Sequence, residues 1–285
     1  RILGLIQPEL NARLEKLHTL ENLLKDVEAA GLDQHRELNN LRAQVQLRNR
    51  KTAASTDNEL PLDSQWFDSF YLRFENTFRG TREDIRQRFS IYLPILRDSA
   101  SVTQSAPLLD VGCGRGEWLE LLQSEQVAAQ GVDSNTAMIK ECRQFGLPVV
   151  HADALTYLRT LPSNSFGALT CFHLLEHLAF PSLLRLLREF ERVLQPNGLL
   201  ILETPNISNA RVALEEFYVD PTHRRPLPSR LLEFLVSSFE FREARVVPLH
   251  PTRHRIVPDE NSMLAVWLRN QFEGPEDYAI VASRK

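Results

Sequence analysis

A chain of 285 residues, 43% apolar and 25% charged, has material for one large core plus an appendage and falls in the ordinary range of globular proteins. Its net charge of −4 argues against a non-specific nucleic-acid binder, which depends on clustered Lys and Arg, so no DNA partner is expected. Three cysteines, Cys113, Cys142 and Cys171, with no C-x-x-C pair exclude a disulfide framework or a thiolate zinc site and favour a reducing, cytoplasmic setting. No run is long and apolar enough to span a bilayer, and "RILGLIQPEL" is interrupted too early by Pro8 for a signal peptide. The absent initiator Met suggests a piece of a longer protein, and association with the inner face of a membrane stays open.

In chain order, residues 8–50 lack Trp, Tyr and Phe and carry Leu10, Leu17, Leu24, Leu38 and Val45 at seven-residue intervals, with Gly31 filling the gap. The seam is helical; Leu20, Val27 and Leu41 supply a companion position that Arg13, Gln34 and Arg48 spoil. Gly31 as a stop and Asp33 as an N-cap make a helical hairpin as good a reading as one coiled coil. Self-association or docking of a partner through residues 8–50 stands beside a plain amphipathic helix packed on its own domain. The polar run "KTAASTDNELPLDS" reads as a linker, so residues 1–60 form an N-terminal helical segment and 61–105 a helical segment before the core.

Residues 106–285 alternate apolar runs with amphipathic stretches, the pattern of an α/β doubly wound sheet. "APLLDVG", "AAQGVD", "LPVVHAD", "FGALTCF" and "LLILETP" are the first five strands. Between them lie "GEWLELLQSE", "SNTAMIKECRQFG" capped by Ser134 and ended by Gly146, and "PSLLRLLREFERVLQPNG" opened by Pro181 and closed at Gly198. "FEFREARVVPL" and "DYAIVASR", separated by a helical "NSMLAVWLRNQF", complete about seven strands.

"LDVGCGRGEW" joins the first strand to the first helix of that sheet, so bare N–H groups around Gly112, Gly114 and Gly116, and the positive helix end, are expected to face a nucleotide-like ligand. The spacing is G-x-G-x-G with Asp110 two residues ahead, whereas a dinucleotide cradle needs G-x-G-x-x-G, whose last position is here Glu117. At the next strand ends, Asp133 is placed to accept from two ribose hydroxyls, and Asp153 from an exocyclic adenine amine, with the Ala154 N–H beside it. These strand ends converge on one crevice.

In order and spacing, "LDVGCGRGEWLELL", "GVDSN", "HADAL", "FHLLEHL" and "RVLQPNGLLILETPN" resemble the class I S-adenosylmethionine-dependent methyltransferases, whose fold is a Rossmann-like seven-stranded sheet. The resemblance implies that Asp110, Gly112, Cys113 and Gly114 bound the methionine part of S-adenosylmethionine, that Asp133 with Ser134 holds the ribose, and that Asp153 with Ala154 reads the adenine. It places Phe172 and His173 near the sulfonium, with S-adenosylhomocysteine as product. "YLRFENTFRGTREDIRQRFSIYLPIL" and "FYVDPTHRRPLP" resemble the lid and acceptor segments of WbdD-type bacterial O-antigen chain-terminating methyltransferases and related polysaccharide-cluster enzymes. This makes 61–105 a lid and about 205–230 an acceptor-side insertion. The chain departs from that type in having its helical segment in front.

Physically, Arg73 or Arg79 suits a charge-assisted fork on the methionine carboxylate, with Gly80 permitting close approach. A surface helix with solvated Arg73 and Glu75 is the plainer alternative. Tyr71 and Arg73 from the lid, and Tyr218, His223, Arg224 and Arg225 from the proline-rich loop, are the candidate acceptor-binding residues; Arg230 extends that cationic rim, which suits an anionic or sugar-phosphate acceptor. A proline-fixed loop with solvated arginines is the equal alternative.

"FHLLEHL" also reads as the H-x-x-E-H of an inverted zinc protease. That motif requires one continuous helix, yet the strand pattern ends at Phe172 and Pro181 suits a helix start, so residues 173–179 form a strand end and turn. Some small-RNA 2′-O-methyltransferases of the resembled fold bind a divalent ion through a related E-x-x-E-H and a distant His; here His173 replaces the first Glu, Glu176 and His177 follow, and His223 would be the distant ligand. The preferred role is to shape the pocket, and no metal is expected. In-line transfer from a sulfonium needs alignment and a dry site; a phosphate oxygen needs no base, whereas a sugar hydroxyl needs one, for which His173, His177 and His223 are candidates, with Asp220 orienting His223. The expected function is O-methylation of a glycan or glycan phosphate in bacterial surface polysaccharide assembly, with a glycosyltransferase as a conceivable partner. An RNA or small-metabolite acceptor, and a cofactor-binding scaffold without turnover, are the alternatives.

Overall fold

The computed structural model describes residues 63–252, 255–258 and 262–285. The heptad seam of residues 8–50 and most of the linker lie outside the described residues. Asp63 opens α1 (Ser64–Phe78), its carboxylate accepting from the Gln65 N–H. Thr81 caps α2 (Arg82–Phe89), and α3 (Tyr92–Ser99) stops at Ala100, which adopts a left-handed φ of 47°.

The core then runs β1 (Leu108–Val111), α4 (Glu117–Ser124), β2 (Ala129–Asp133), α5 (Thr136–Gln144), β3 (Val149–His151), α6 (Ala154–Thr160), β4 (Phe166–Phe172), α7 (Phe180–Val193) and β5 (Leu194–Pro205). It finishes with α8 (Ser229–Ser237), β6 (Phe241–Pro251), α9 (Met263–Phe272) and β7 (Pro275–Arg284). The seven strands lie in the order β3-β2-β1-β4-β5-β7-β6. The first five are parallel, and β7 runs antiparallel between β5 and β6. The α/β doubly wound, Rossmann-like sheet expected from the sequence is therefore present.

Strand parity sorts the core into two layers. Leu109, Val111, Leu169, Cys171, Leu200 and Leu202 face α7 and α8, where Leu183, Leu186, Leu187, Phe190 and Val193 repeat at helical spacing. Leu108, Ala168, Phe172, Leu199 and Ile201 face the other way, against Phe89, Tyr92 and Trp118. Each buried Leu, Ile, Val or Phe among them contributes about 1.5–3 kcal/mol by burial.

Three local expectations are corrected. Asn135, not Ser134, caps α5, its carbonyl oxygen accepting from the N–H groups of Ala137 and Met138. The helix begun near Pro181 ends at Val193 rather than Gly198, because Pro196 has no N–H to give a helix and disfavours helical backbone at Gln195. Leu194 already pairs with Phe166, and the next paired residue is Leu199, so residues 195–198 form a bulge with Asn197 at φ 63°. Finally, α6 fills a stretch that carried no helix signal strong enough to read, with Asp153 as its cap.

Among the described residues, no helix is long and apolar enough to cross a membrane. Gly167 marks the tightest place in the sheet: a Cβ there would stand 1.9 Å from the Ser101 carbonyl oxygen. Gly167→Ala is expected to lower stability by about 2–3 kcal/mol through forced backbone movement, read as a fall in the urea midpoint at unchanged slope.

Candidate active site

Two adjoining cavities open at the C-terminal ends of the parallel strands. The first, of about 250 Å³, is lined by Gly112, Asp133, Ser134, Asp153, Ala154, Leu155, Leu174 and Leu178. Asp133 Oδ2 accepts from the Gly114 N–H at 2.9 Å and Oδ1 from the Asn135 N–H at 2.7 Å. A carboxylate has about four acceptor positions, so two remain for a diol. Burial pushes this carboxyl above its ordinary value, against the pull of the two N–H donors. Asp153 spends Oδ1 on the Thr156 N–H and hydroxyl and keeps Oδ2. With Leu174 and Leu178 as apolar walls, this set of acceptors fits an adenosine.

The glycine loop works differently from the sequence expectation. Its N–H groups are not bare: Gly112 and Cys113 donate to the Val132 carbonyl, Gly114 to Asp133, and Gly116 to the Cys113 carbonyl. What the loop supplies is room. At Gly114, with φ 51°, an added Cβ would meet nothing closer than the Met138 sulfur at 3.9 Å. Cys113 turns its thiol into a cluster with Leu119, Ile139 and Cys142, so it offers a ligand neither side chain nor amide. Asp110 is buried beneath the loop, accepts from the Thr170 hydroxyl at 2.8 Å, and is pushed up to about 7 by burial. Gly80 (φ 106°) gives its carbonyl to buried Arg115, which also binds Asn76 and ties α1 to the loop.

The second cavity, of about 300 Å³, lies under α1; its walls include Tyr71, Phe74, Phe78, Arg79, His173, His177 and His223. Arg79 is bound to Glu75 at 3.1 Å; burial works against its charge, but Glu75 keeps the guanidinium charged. Several predicted residues are elsewhere. Arg73 and Tyr218 are exposed and outside the lining. Arg224 and Arg225 donate backbone N–H groups to the Glu176 carbonyl, while Arg225 stacks over Phe180, so no cationic rim forms in the cavity. The Phe172 ring, expected beside the sulfonium, stacks on Phe89 and Tyr92 at 4.8 and 5.0 Å, because its strand parity points it into the core.

His173 adopts a left-handed φ of 52°, an uncommon conformation for a residue with a Cβ. Its Nε2 lies 3.1 Å from Glu203 and 3.8 Å from Asp277, and its Nδ1 3.4 Å from Glu176. Burial opposes its charge, but the carboxylates outweigh burial and lift the pKa to about 10. An imidazolium cannot accept a proton, so His173 is removed from the candidate bases. His177 differs: burial pushes its pKa below the ordinary value, despite Glu176. Its Nδ1 lies 2.8 Å from Thr222 Oγ1, and that hydroxyl lies 2.7 Å from Asp220 Oδ1. The carboxylate can only accept, so the Thr222 proton goes to Asp220 and His177 Nδ1–H donates to Thr222, leaving Nε2 with a free lone pair. His223 is oriented by the Phe217 carbonyl at its Nδ1, not by Asp220, which stands 4.0 Å away and is engaged by Thr222 and Tyr71.

Glu176, His177 and His223 present ligand atoms within 4.8 Å of one another, as do His173, Glu203 and Asp277. His173 already contacts a carboxylate of each set, Glu176 at 3.4 Å and Glu203 at 3.1 Å, and a dication in either set would have to compete with those contacts. Glu75, Glu203, Thr222 and Asp277 were missed by the sequence reading. Glu75 was detectable from its i, i+4 spacing to Arg79; the others meet the site through long-range packing.

A parallel sheet reversing at β1 and β4, with carboxylates at successive strand ends around one crevice and a histidine-bearing turn after β4 beside it, defines a class I methyltransferase. Residues 80–243 match the methyltransferase-domain family, and the chain belongs to that family. It is an S-adenosylmethionine-dependent methyltransferase. A SAM-dependent methyltransferase of Archaeoglobus fulgidus is 31% identical and superposes with a TM-score of 0.68, over 75% of this chain and 100% of that one. A ubiquinone biosynthesis O-methyltransferase of Xanthomonas oryzae is 33% identical over 114 residues, 38% of this chain and 47% of the relative. One from Pasteurella multocida is 25% identical over 161 residues, 51% of this chain and 66% of the relative. The chain thus spans about half the length of the Xanthomonas relative it matches.

Asp133→Ala removes two acceptor positions for the ribose and is expected to weaken S-adenosylmethionine binding about 10- to 100-fold, measured by calorimetry.

Proposed function

We propose that the protein O-methylates a neutral hydroxyl, with His177 as the general base, and that the acceptor is an uncharged sugar of a surface glycan. One observation carries the reading: His177 is fixed by Thr222 and Asp220 in its Nδ1–H form, with a free Nε2, in the wall of the second cavity. A phosphate oxygen would need no such group. The cavity wall also holds Glu75, Glu203, Glu216, Asp220, Glu276 and Asp277 against Arg88, Arg211 and the His173 imidazolium once Arg79 is given to the cofactor carboxylate, a balance that disfavours an anionic acceptor. Carboxylates accept from sugar hydroxyls, and the rings of Tyr71, Phe74 and Phe78 suit the C–H face of a sugar ring.

When bound, S-adenosylmethionine supplies an electrophilic methyl carbon on a sulfonium. Asp133 and Asp153 hold the adenosine end, and Arg79 takes the methionine carboxylate. The helix α1 keeps water from the second cavity, where His177 Nε2 withdraws the acceptor proton as the oxygen attacks in line. Thr222 and Asp220 keep Nδ1 protonated throughout. A phenolic acceptor is the second reading, supported by the similarity to ubiquinone biosynthesis O-methyltransferases and by the same aromatic wall. We place the activity in the cytoplasm, where the buried thiols Cys113, Cys142 and Cys171 stay reduced, beside the glycosyltransferases that would supply its acceptor.

His177→Ala is expected to lower methyl transfer about 10²- to 10⁴-fold, with donor affinity unchanged. In the wild-type protein the acid limb of the rate profile should lie below the ordinary histidine value of about 6.5, because the base works only when neutral. Radiolabelled donor offered with cell-envelope glycan, a catechol and total RNA separates the acceptors; label confined to the catechol or to RNA would remove the glycan reading. A chelator is expected to leave the rate unchanged, with no bound metal by elemental analysis, since the ligand sets already carry their own counter-charge.

A further inference from the structure

The helix α1 carries a row of aromatic rings over the second cavity, and its Tyr71 reaches past them to Asp220, 149 residues away, donating at 2.6 Å. The ring is fixed between Phe67 and Phe74, with centroids 6.2 and 5.8 Å away, so the hydroxyl has a defined position. Asp220 Oδ1 is filled by the Thr222 N–H and hydroxyl, each at 2.7 Å; Tyr71 fills Oδ2. The four groups form one directed chain: His177 Nδ1–H to Thr222, Thr222 to Asp220, and Tyr71 to the far oxygen of the same carboxylate.

One turn earlier, α1 is bonded to the cofactor side. Asp68 Oδ2 accepts from the Thr136 N–H at 2.8 Å, and the Asp68 carbonyl accepts from the Asn135 side chain at 3.2 Å. Asn135 is also the residue whose N–H holds Asp133. One rigid helix therefore touches the ribose-binding carboxylate through Asn135 and the proposed base through Asp220.

We propose that Tyr71 is a positioning residue: by donating to Asp220 it makes the seating of α1 part of the relay that keeps His177 in its Nδ1–H form, so that the base is set when the lid is down. The proposal rests on the reading of His177 as base, but its central claim concerns the imidazole alone and is testable without an acceptor. Four ionisable groups face His177: Glu176 from its own turn, Asp220 and His223 from the loop, and His173 from the end of β4. Of these, Asp220 is the one Tyr71 contacts. Loss of the phenol frees the carboxylate to rotate and take water, and the alignment of Thr222 goes with it.

The test is nitrogen-15 NMR of the histidine rings in the cofactor-free full chain, with Tyr71→Phe, Thr222→Val, Thr222→Ser and the pair Tyr71→Phe with Asp220→Asn. Tyr71→Phe keeps the ring stacking, and thermal midpoints identify variants that fail to fold. Wild type should show His177 as the Nδ1–H tautomer. Tyr71→Phe should lower that population and move the His177 titration midpoint, Thr222→Val should abolish it, and Thr222→Ser should retain it. Turnover in Tyr71→Phe should fall about tenfold, a part of the range for a general base, with donor KM unchanged. The double variant should be no worse than Asp220→Asn alone. An unchanged His177 tautomer and midpoint in folded Tyr71→Phe, or additive losses in the double variant, would overturn the coupling. If the tautomer responds as expected while His177→Ala transfers methyl at the wild-type rate, the coupling stands and the base assignment falls instead.

Discussion

The His173 imidazolium holds together carboxylates from separate parts of the sheet: Glu176 from the turn after β4, Glu203 from β5 and Asp277 from β7. Buried acids this close would otherwise repel one another and take up protons. The ring can stand among them because His173 leaves the strand with a left-handed φ, a strain of order 1–3 kcal/mol that the surrounding bonds hold in place. Its own N–H remains bonded to the Glu203 carbonyl. The floor of the second cavity is thus a charge cluster whose members depend on one another, which is why His173 is poorly suited to proton transfer and well suited to holding shape.

Cofactor and acceptor sides are built on different principles. On the first side, backbone amides are used up inside the glycine loop, which leaves space over Gly114 and the free lone pairs of Asp133 and Asp153 facing the cavity. On the second side, aromatic rings and paired charges surround the His177 imidazole. The helix α1 spans both, and Arg115, 2% exposed and bonded to Asn76 and the Gly80 carbonyl, anchors its far end.

Much of the fold was legible because its signals are local. Strand runs, the Pro181 helix start and the glycine loop each depend on a few neighbouring residues, and the ordered set of motifs carried the class. The cofactor-side carboxylates were legible for the same reason: strand ends are where such sheets bind ligands. The acceptor side was not. Asp220 was expected to orient His223 from sequence nearness, yet the structure gives it to Thr222 and to Tyr71. Phe172 lies in a strand buried on both faces, so no alternation in "FGALTCF" announced which way its ring would point. The arginines at 224 and 225 looked like a binding rim because sequence shows charge but not direction.

The place of β7 in the sheet has a consequence for how the molecule is made. β6 precedes β7 in the chain, yet its sheet neighbour is β7, which lies between it and β5. β6 therefore has no edge to join until β7 has been synthesised and has inserted, and β5 meanwhile presents an open edge. Asp277 arrives on that same strand. The second cavity gains its Asp277 wall in the step that closes the sheet, so a chain still lacking β7 is at once sticky along β5 and short of one side of that cavity.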